Sequence, residues 1–113
     1  MIELLHRPTC SKCRGAVALL AERGVPFTIR DYVADPLSEA ELRDVLAKLA
    51  VPVADLLRKG DPLYGELGLT GSEPDDVLVA HLLEHPALLN RPIAIRGDRA
   101  LLARPPERVL ELL

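Results

Sequence analysis

The N-terminal part of the chain reads as strand, helix, strand. Ile2–His6 is a short apolar segment, Ser11–Arg23 carries apolar residues at helical spacing, and Pro26–Tyr32 alternates as a second strand. Gly24 follows the helix at the position where a glycine commonly ends one. Such a unit normally gives two parallel strands joined by a right-handed crossover. The rest of the chain must therefore build onto a parallel pair.

The remaining sequence predicts further helices and one antiparallel hairpin. Ser38 and Glu41 form a capping-box pattern ahead of a helix with an apolar stripe. Residues 51–89 predict short helices separated by glycine and proline. A Gly97-Asp98 pair between two apolar runs indicates a hairpin turn, and a last helix follows it. The apolar faces predicted for the last two helices are Val77, Leu78, His81 and Leu82, and then Val109, Leu110 and Leu113.

This order of elements predicts an α/β fold of thioredoxin type. Its mixed sheet comes from a βαβ half and a ββα half, with an all-helical insertion at about residues 51–89 between them. A chain of 113 residues has room for one domain, and we expect residues 1–113 to form it. Since 49% of the residues are hydrophobic, this domain has the material for a packed core.

Composition argues against several classes of function. The net charge is −3 without a long basic run, and only three residues are aromatic, which disfavours nucleic-acid binding. No segment reaches the apolar length of a membrane-spanning helix, and the first residues lack a signal-peptide pattern. We therefore expect a cytoplasmic monomer with reduced thiols and no membrane or nucleic-acid partner.

The two cysteines of the chain, Cys10 and Cys13, lie where the first strand gives way to the helix. Free N–H groups and the positive end of the helix dipole favour a thiolate there, so Cys10 is the predicted nucleophile. Cys13 is either a resolving thiol that forms a disulfide with Cys10 or a small buried residue of the inner helix face. His6 and Arg14 are candidates for tuning the Cys10 pKa. No metal site is predicted, because only His6 lies close enough to complete one.

Three arginines stand at loop or strand-end positions: Arg58, Arg91 and Arg104. Their planar guanidinium groups bind tetrahedral oxyanions bidentately, and they stabilise negative charge that develops when a thiolate attacks. Pro92 stands at the first position of the third predicted strand. In thioredoxin-type folds this place is taken by a cis-proline whose backbone faces the catalytic cysteine, which makes Pro92 the cis-proline candidate.

Several short motifs follow one another over nearly the whole chain. They are His6-x-Pro8-x-Cys10, Tyr32 ahead of Pro36, Leu56-Leu57-Arg58-Lys59, Tyr64-Gly65-Glu66-Leu67-Gly68-Leu69, His85-Pro86, Asn90-Arg91-Pro92-Ile93 and the segment from Arg104 to Glu111. In these motifs and their order the chain resembles short members of the ArsC family, the glutaredoxin-linked arsenate reductases. It resembles the Spx-type regulators more distantly.

The resemblance implies a reaction and a set of roles. Arsenate would be reduced to arsenite through a covalent adduct on Cys10, without a bound cofactor and with glutathione and glutaredoxin as reductant. In that scheme Arg58, Arg91 and Arg104 bind the oxyanion, and His6 helps to lower the cysteine pKa. Efficient members of the family typically carry serine at the position of Cys13, so this residue is a departure from their pattern.

Two alternative functions remain open at this point. The first is a Spx-like redox sensor that binds RNA polymerase and switches through a Cys10–Cys13 disulfide. Arg58 and Arg104 count against it, because a sensor needs no complete oxyanion site. The second is a general glutaredoxin-like thiol–disulfide reductase, for which the helical insertion and the arginines have no evident task.

Overall fold

The computed structural model describes residues 1–113 and contains one four-stranded mixed sheet. Its strands are β1 (Ile2–His6), β2 (Phe27–Asp31), β3 (Ile93–Arg96) and β4 (Arg99–Leu102). The strand order is β2-β1-β3-β4, with β1 parallel to β2 and antiparallel to β3, and with β3 antiparallel to β4. The parallel pair and the hairpin are thus present as predicted.

Seven helical segments accompany the sheet. The α-helices are α1 (Ser11–Glu22), α2 (Glu39–Leu49), α3 (Pro62–Glu66) and α4 (Asp75–Glu84), and the 3₁₀ helices are Val53–Leu56, Pro86–Leu88 and Pro106–Leu112. The segment between residues 51 and 89 consists of helices, turns and loops apart from one isolated bridge between Leu57 and Leu89, and contributes no strand to the sheet. No helix of the structure combines the length and the hydrophobicity of a membrane span.

The sheet has a packed apolar layer on each face. Side chains of a strand alternate between the two faces, so Leu4 and Leu5 of β1 enter different clusters. Leu5 joins the larger cluster, formed with α2, α4 and the helical middle of the chain. Leu4 joins the smaller cluster, formed with α1 and the last 3₁₀ helix. The central strands β1 and β3 are therefore buried on both faces, as their largely apolar sequences require, whereas no residue of the edge strand β2 is fully buried.

The capping box predicted at the start of α2 is formed. The Ser38 hydroxyl accepts a hydrogen bond from the Glu41 N–H at 3.1 Å, and the Glu41 carboxylate accepts one from the Ser38 N–H at 3.0 Å. Arg30 also binds that carboxylate, at 2.7 Å, and this contact contributes most to lowering the pKa of Glu41 to about 2. The helix turns its apolar stripe, Leu42, Val45, Leu46 and Leu49, toward the core.

Removal of this cap tests how much the start of α2 stabilises the domain. We expect Ser38→Ala to lower the free energy of unfolding by about 1 kcal/mol, because it leaves the Glu41 N–H in the first turn of α2 without its side-chain acceptor. Urea denaturation measures the change. Ser38→Thr is the matched control, since threonine keeps the hydroxyl. An alanine variant as stable as the threonine variant would contradict this account.

The predicted apolar faces of the later helices need correction. In the last helix Val109 is buried as predicted, but Leu112 shares its face, while Leu113 is 49% exposed. The reason is that Pro106–Leu112 is a 3₁₀ helix, in which residues three positions apart eclipse. In α4 the predicted face also included Val77, which is 41% exposed because the buried side of this helix is centred one residue later.

Candidate active site

Cys10 is the N-cap residue of α1. Its backbone is extended, with φ −89° and ψ 117°, and its sulfur accepts a hydrogen bond from the Cys13 N–H at 3.3 Å. The sulfur thus takes the position that a serine or aspartate oxygen usually takes at a helix start. Its side chain is half-buried, so external reagents can reach it. This is the placement that the strand–helix junction predicted.

The surroundings of Cys10 favour its thiolate. Burial acts to raise the Cys10 pKa, but the Cys13 side chain, the backbone N–H groups of Cys13 and Lys12 and the charge of Arg91 outweigh it. The net result is a pKa below the usual value of a thiol. Because the thiolate is the nucleophilic form, this difference agrees with the prediction of Cys10 as the nucleophile.

Cys13 lies in the first turn of the same helix and is completely buried. Burial, a hydrogen bond to the Cys10 side chain and the nearby Cys10 charge raise the pKa of the Cys13 thiol to about 12. Both cysteines are free thiols in the structure. Cys13 therefore lies on the inner face of α1 and beside the Cys10 sulfur at once.

His6 and Arg14 lie in a separate depression with Pro8. Burial contributes most to lowering the His6 pKa; the charge of Asp31 opposes this effect and that of Arg14 adds to it. The Nδ1 atom of His6 is buried without a hydrogen-bond partner, and the Arg14 guanidinium donates to the Pro8 carbonyl at 3.0 Å. Since the side-chain and backbone groups named above dominate the Cys10 pKa, tuning by His6 and Arg14 stays a prediction.

A short backbone pairing brings Arg58 to the start of the third strand. The Arg58 N–H donates to the Leu88 carbonyl, and the Asn90 N–H donates to the Leu56 carbonyl, both at 2.8 Å. Leu57 and Leu89 form an antiparallel bridge between these two bonds. The pairing fixes Arg58 beside the residues that lead into Pro92, although more than 30 residues separate them in sequence.

Arg104, which follows β4, also lies beside Arg91 and Pro92. The Ala103 N–H donates to the Pro92 carbonyl at 2.9 Å, and the Arg104 guanidinium donates to the Arg91 carbonyl at 2.8 Å. The Arg91–Pro92 peptide bond is cis, as is the bond between Arg104 and the next residue. The turn at Arg91 and Pro92 is thus held by hydrogen bonds from the two residues that follow β4.

Arg58 and Arg104 line a common open cleft of about 480 Å³. Its other lining residues are Asp55, Leu57, Lys59, Gly60, Asp61 and Asn90, so the lining is almost entirely polar. Arg58 contacts the Asp61 carboxylate at 3.5 Å, the upper limit of a hydrogen bond. Three cationic residues, Arg58, Lys59 and Arg104, and two acidic ones, Asp55 and Asp61, thus line a space large enough for a small oxyanion.

Arg91 does not line this cleft. Its guanidinium donates to the Ala87 carbonyl at 3.0 Å and to the Tyr32 hydroxyl at 3.3 Å. Its charge nevertheless lowers the pKa of both Cys10 and Cys13. The three predicted arginines therefore have different positions. The charge of Arg91 lowers the pKa of the two cysteines, whereas Arg58 and Arg104 line the cleft.

Tyr32 belongs to one of the motifs of the family resemblance, but the sequence predicted no role for it at the site. It directly follows β2 and is 1% exposed, and its hydroxyl donates to the Leu89 carbonyl at 2.6 Å while accepting from Arg91. Burial contributes most to raising the Tyr32 pKa to about 12, so its hydroxyl stays protonated. The available sequence signal was a tyrosine at the end of a predicted strand. If such a tyrosine is buried, its hydroxyl needs a hydrogen-bond partner, which would have pointed to a polar contact there.

We expect Tyr32→Phe to raise the pKa of Cys10, because Arg91 loses an acceptor that holds its charge near the thiolate. The shift should stay below about one unit, since one unit already corresponds to about 1.4 kcal/mol. The pH dependence of Cys10 alkylation, followed in a Cys13→Ser background, measures it. Tyr64→Phe is the matched control, because that tyrosine belongs to α3. Equal alkylation profiles for both phenylalanine variants would contradict the role given to Tyr32.

Comparison with known proteins places the chain among its relatives. The model of the ArsC family matches residues 5–112. The chain belongs to the ArsC family. The arsenate reductase of Neisseria meningitidis is 40% identical to it over 114 aligned residues, which cover 99% of this chain and 97% of the relative. That of Haemophilus influenzae is 39% identical over 112 residues, which cover 97% of each chain.

The solved structures give the same relationship for the fold of this ArsC-family protein. The arsenate reductase from Vibrio cholerae superposes with a TM-score of 0.93 at 37% identity, covering 99% of this chain and 97% of that one. The predicted thioredoxin-like α/β fold and the predicted family are thereby confirmed. The chain is accordingly an enzyme of an oxidoreductase family.

Proposed function

We propose that this ArsC-family protein reduces arsenate to arsenite, with Cys10 as the nucleophile. The observation that carries the proposal is a cysteine at a helix start whose thiolate is favoured by Arg91. The Arg91 carbonyl in turn accepts a hydrogen bond from Arg104, which lines the cleft together with Arg58. Relatives that span almost the full chain are named arsenate reductase, which supports the same activity.

Substrate binding is assigned to the cleft. Arsenate is a tetrahedral oxyanion, and Arg58 and Arg104 offer it planar pairs of N–H donors. Lys59 adds a third positive charge at the rim. These cations withdraw charge from the arsenic oxygens, so that an anionic thiolate can approach the arsenic.

The first chemical step forms a bond between the Cys10 sulfur and arsenic. The thiolate attacks As(V), and one arsenate oxygen leaves as water after taking up protons from solvent. The arsenic is still As(V) at this stage, held as a thioester-like adduct. The N–H groups at the start of α1 then no longer face a full negative charge on sulfur.

The second step needs another thiol. In the glutathione-dependent route, glutathione attacks the Cys10 sulfur and a sulfur–sulfur bond forms. The electron pair of the sulfur–arsenic bond passes to arsenic, which leaves as As(III) arsenite. Glutaredoxin then removes glutathione from Cys10 and restores the free thiol.

An arsenite assay tests the proposed function. The purified protein is given arsenate with glutathione and glutaredoxin, and in parallel with a thioredoxin system, and arsenite is quantified over time. We expect arsenite formation that saturates with arsenate and requires Cys10. If no Cys10-dependent arsenite appears with either reductant, the proposed function is wrong.

The redox-sensor alternative has one observation in its favour, the contact between Cys10 and Cys13. A polymerase-binding switch would leave the cleft of Arg58 and Arg104 without a role. Affinity capture of RNA polymerase by the oxidised and by the reduced protein tests this alternative, and we expect neither to retain it.

A cytoplasmic location, a monomeric state and the absence of a nucleic-acid partner complete the proposal. The net charge of −3 supports the absence of a nucleic-acid partner.

A further inference from the structure

Cys13 has no task in the glutathione-dependent route, yet its position suits one. It is completely buried, while Cys10 is accessible, so an external thiol meets Cys10 first. Its N–H donates to the Cys10 sulfur at 3.3 Å, and its side chain hydrogen-bonds that sulfur. The two residues are the N-cap and the third residue of α1, whose side chains lie on the same side of the first turn. A disulfide can span that separation.

We propose that the Cys13 sulfur, in place of glutathione, attacks the Cys10–arsenic adduct and releases arsenite with formation of a Cys10–Cys13 disulfide. The inference rests on the proposed function for the first step, the formation of that adduct. A sulfur–sulfur bond forms and the sulfur–arsenic bond breaks. Its electron pair reduces As(V) to As(III), and the Cys13 proton passes to an arsenite oxygen. Summed over both steps, two thiols and arsenate give a disulfide, arsenite and water.

The electrostatics of the pair set the order of events. In the resting protein Cys13 keeps its proton, because burial, the hydrogen bond to Cys10 and the Cys10 charge all oppose its ionisation. When arsenic binds the Cys10 sulfur, the negative charge of Cys10 and its hydrogen bond with the Cys13 thiol are lost. Of the three effects that raise the Cys13 pKa, only burial then remains. Arg91 favours both thiolates. Cys10 therefore reacts first, and its reaction makes Cys13 the next nucleophile.

The same geometry defines the class of reductant. In the disulfide only the Cys10 sulfur is accessible, so a reductant attacks there and Cys13 leaves as a thiolate. With a monothiol such as glutathione, the freed Cys13 can attack the mixed disulfide and expel the monothiol again. A dithiol protein completes the reduction with its own second thiol before Cys13 returns. The inferred partner is thus a dithiol protein of the thioredoxin or glutaredoxin class.

A single-turnover experiment without external thiol separates the two routes. The fully reduced protein is mixed with excess arsenate, and arsenite, free thiols and intact mass are measured. We expect the wild-type protein to release stoichiometric arsenite, to lose both thiols and to lose the mass of two hydrogens. Cys13→Ser should release no arsenite until glutathione is added. Cys13→Ala, with the unfolding curve of each variant, controls for the choice of replacement.

Steady-state rates of arsenite formation, measured with a dithiol reductase and with glutathione alone, compare the two classes of reductant. The wild-type protein should turn over with a dithiol reductase and slowly with glutathione alone, whereas Cys13→Ser should depend on glutathione. If the wild-type protein keeps both thiols with arsenate and releases arsenite only after glutathione is added, the inference is overturned and the proposed function stands. If no arsenite forms under any of these conditions, the proposed function fails and the inference fails with it.

Discussion

Cys10→Ser should abolish arsenite formation, with a fall in rate of about a thousandfold or more. A serine hydroxyl is not ionised at neutral pH, so the attack on arsenic loses its nucleophile. The fold should survive the change, since serine is among the preferred N-cap residues and its oxygen can accept the Cys13 N–H in place of sulfur. The substitution therefore removes the chemistry and keeps the helix start.

Arsenite quantification under the glutathione and glutaredoxin conditions measures this loss, and urea denaturation verifies the fold. Cys13→Ser is the matched control, because it makes the same atomic change one turn away and keeps the Cys10 thiolate. It should retain glutathione-dependent turnover. A Cys10→Ser variant with activity within about tenfold of the wild-type protein would remove Cys10 from the reaction.

Arg58→Ala should produce the second-largest effect, a fall in kcat/KM for arsenate of about a hundredfold to a thousandfold. The guanidinium faces the cleft and has only a long contact to Asp61, so its loss removes oxyanion binding with little structural damage. The kcat/KM of Arg58→Lys should lie between those of the wild-type protein and Arg58→Ala, because lysine keeps the charge but lacks the planar pair of donors. Arg104 is a less selective target, since it also bonds the Arg91 carbonyl.

The control for Arg58 is a surface arginine that also forms an ion pair but lies outside the cleft. Arg43 pairs with Glu39 and Asp76 on the surface of α2, and Arg43→Ala should leave kcat/KM unchanged. Initial rates over a range of arsenate concentrations give both parameters. If Arg58→Ala loses no more activity than Arg43→Ala, the cleft is not the arsenate site.

Much of the fold followed from local patterns. The capping box of Ser38 and Glu41 identified the start of α2, because its two hydrogen bonds involve only neighbouring residues. The last helix was assigned a wrong face, with Leu113 in place of Leu112, since a 3₁₀ helix and an α-helix differ by a fraction of a residue per turn. Local sequence does not separate two such similar periods over seven residues.

For the site as well, features that depend on neighbouring residues could be predicted from the sequence, and features that depend on distant residues could not. Cys10 was identifiable from sequence alone, because the backbone donors that stabilise its thiolate, the N–H groups of Lys12 and Cys13, lie within three residues of it. The cluster of arginines was not, since Arg58 joins it through a pairing of Leu57 with Leu89, and Arg104 through a bond to the Arg91 carbonyl. Such contacts exist only when distant segments have packed.

The sequence by itself determined the strand–helix junction, the cysteine on it that we propose as the nucleophile, and the presence of a second thiol within reach. Only the tertiary structure decided that Tyr32 holds Arg91 near the cysteine, and that two other arginines share one cleft. It also decided the burial of Cys13, which leaves Cys10 as the accessible sulfur. The physical reason is range: a helix start acts on its own first turn, whereas burial and charge at a site depend on everything packed around it.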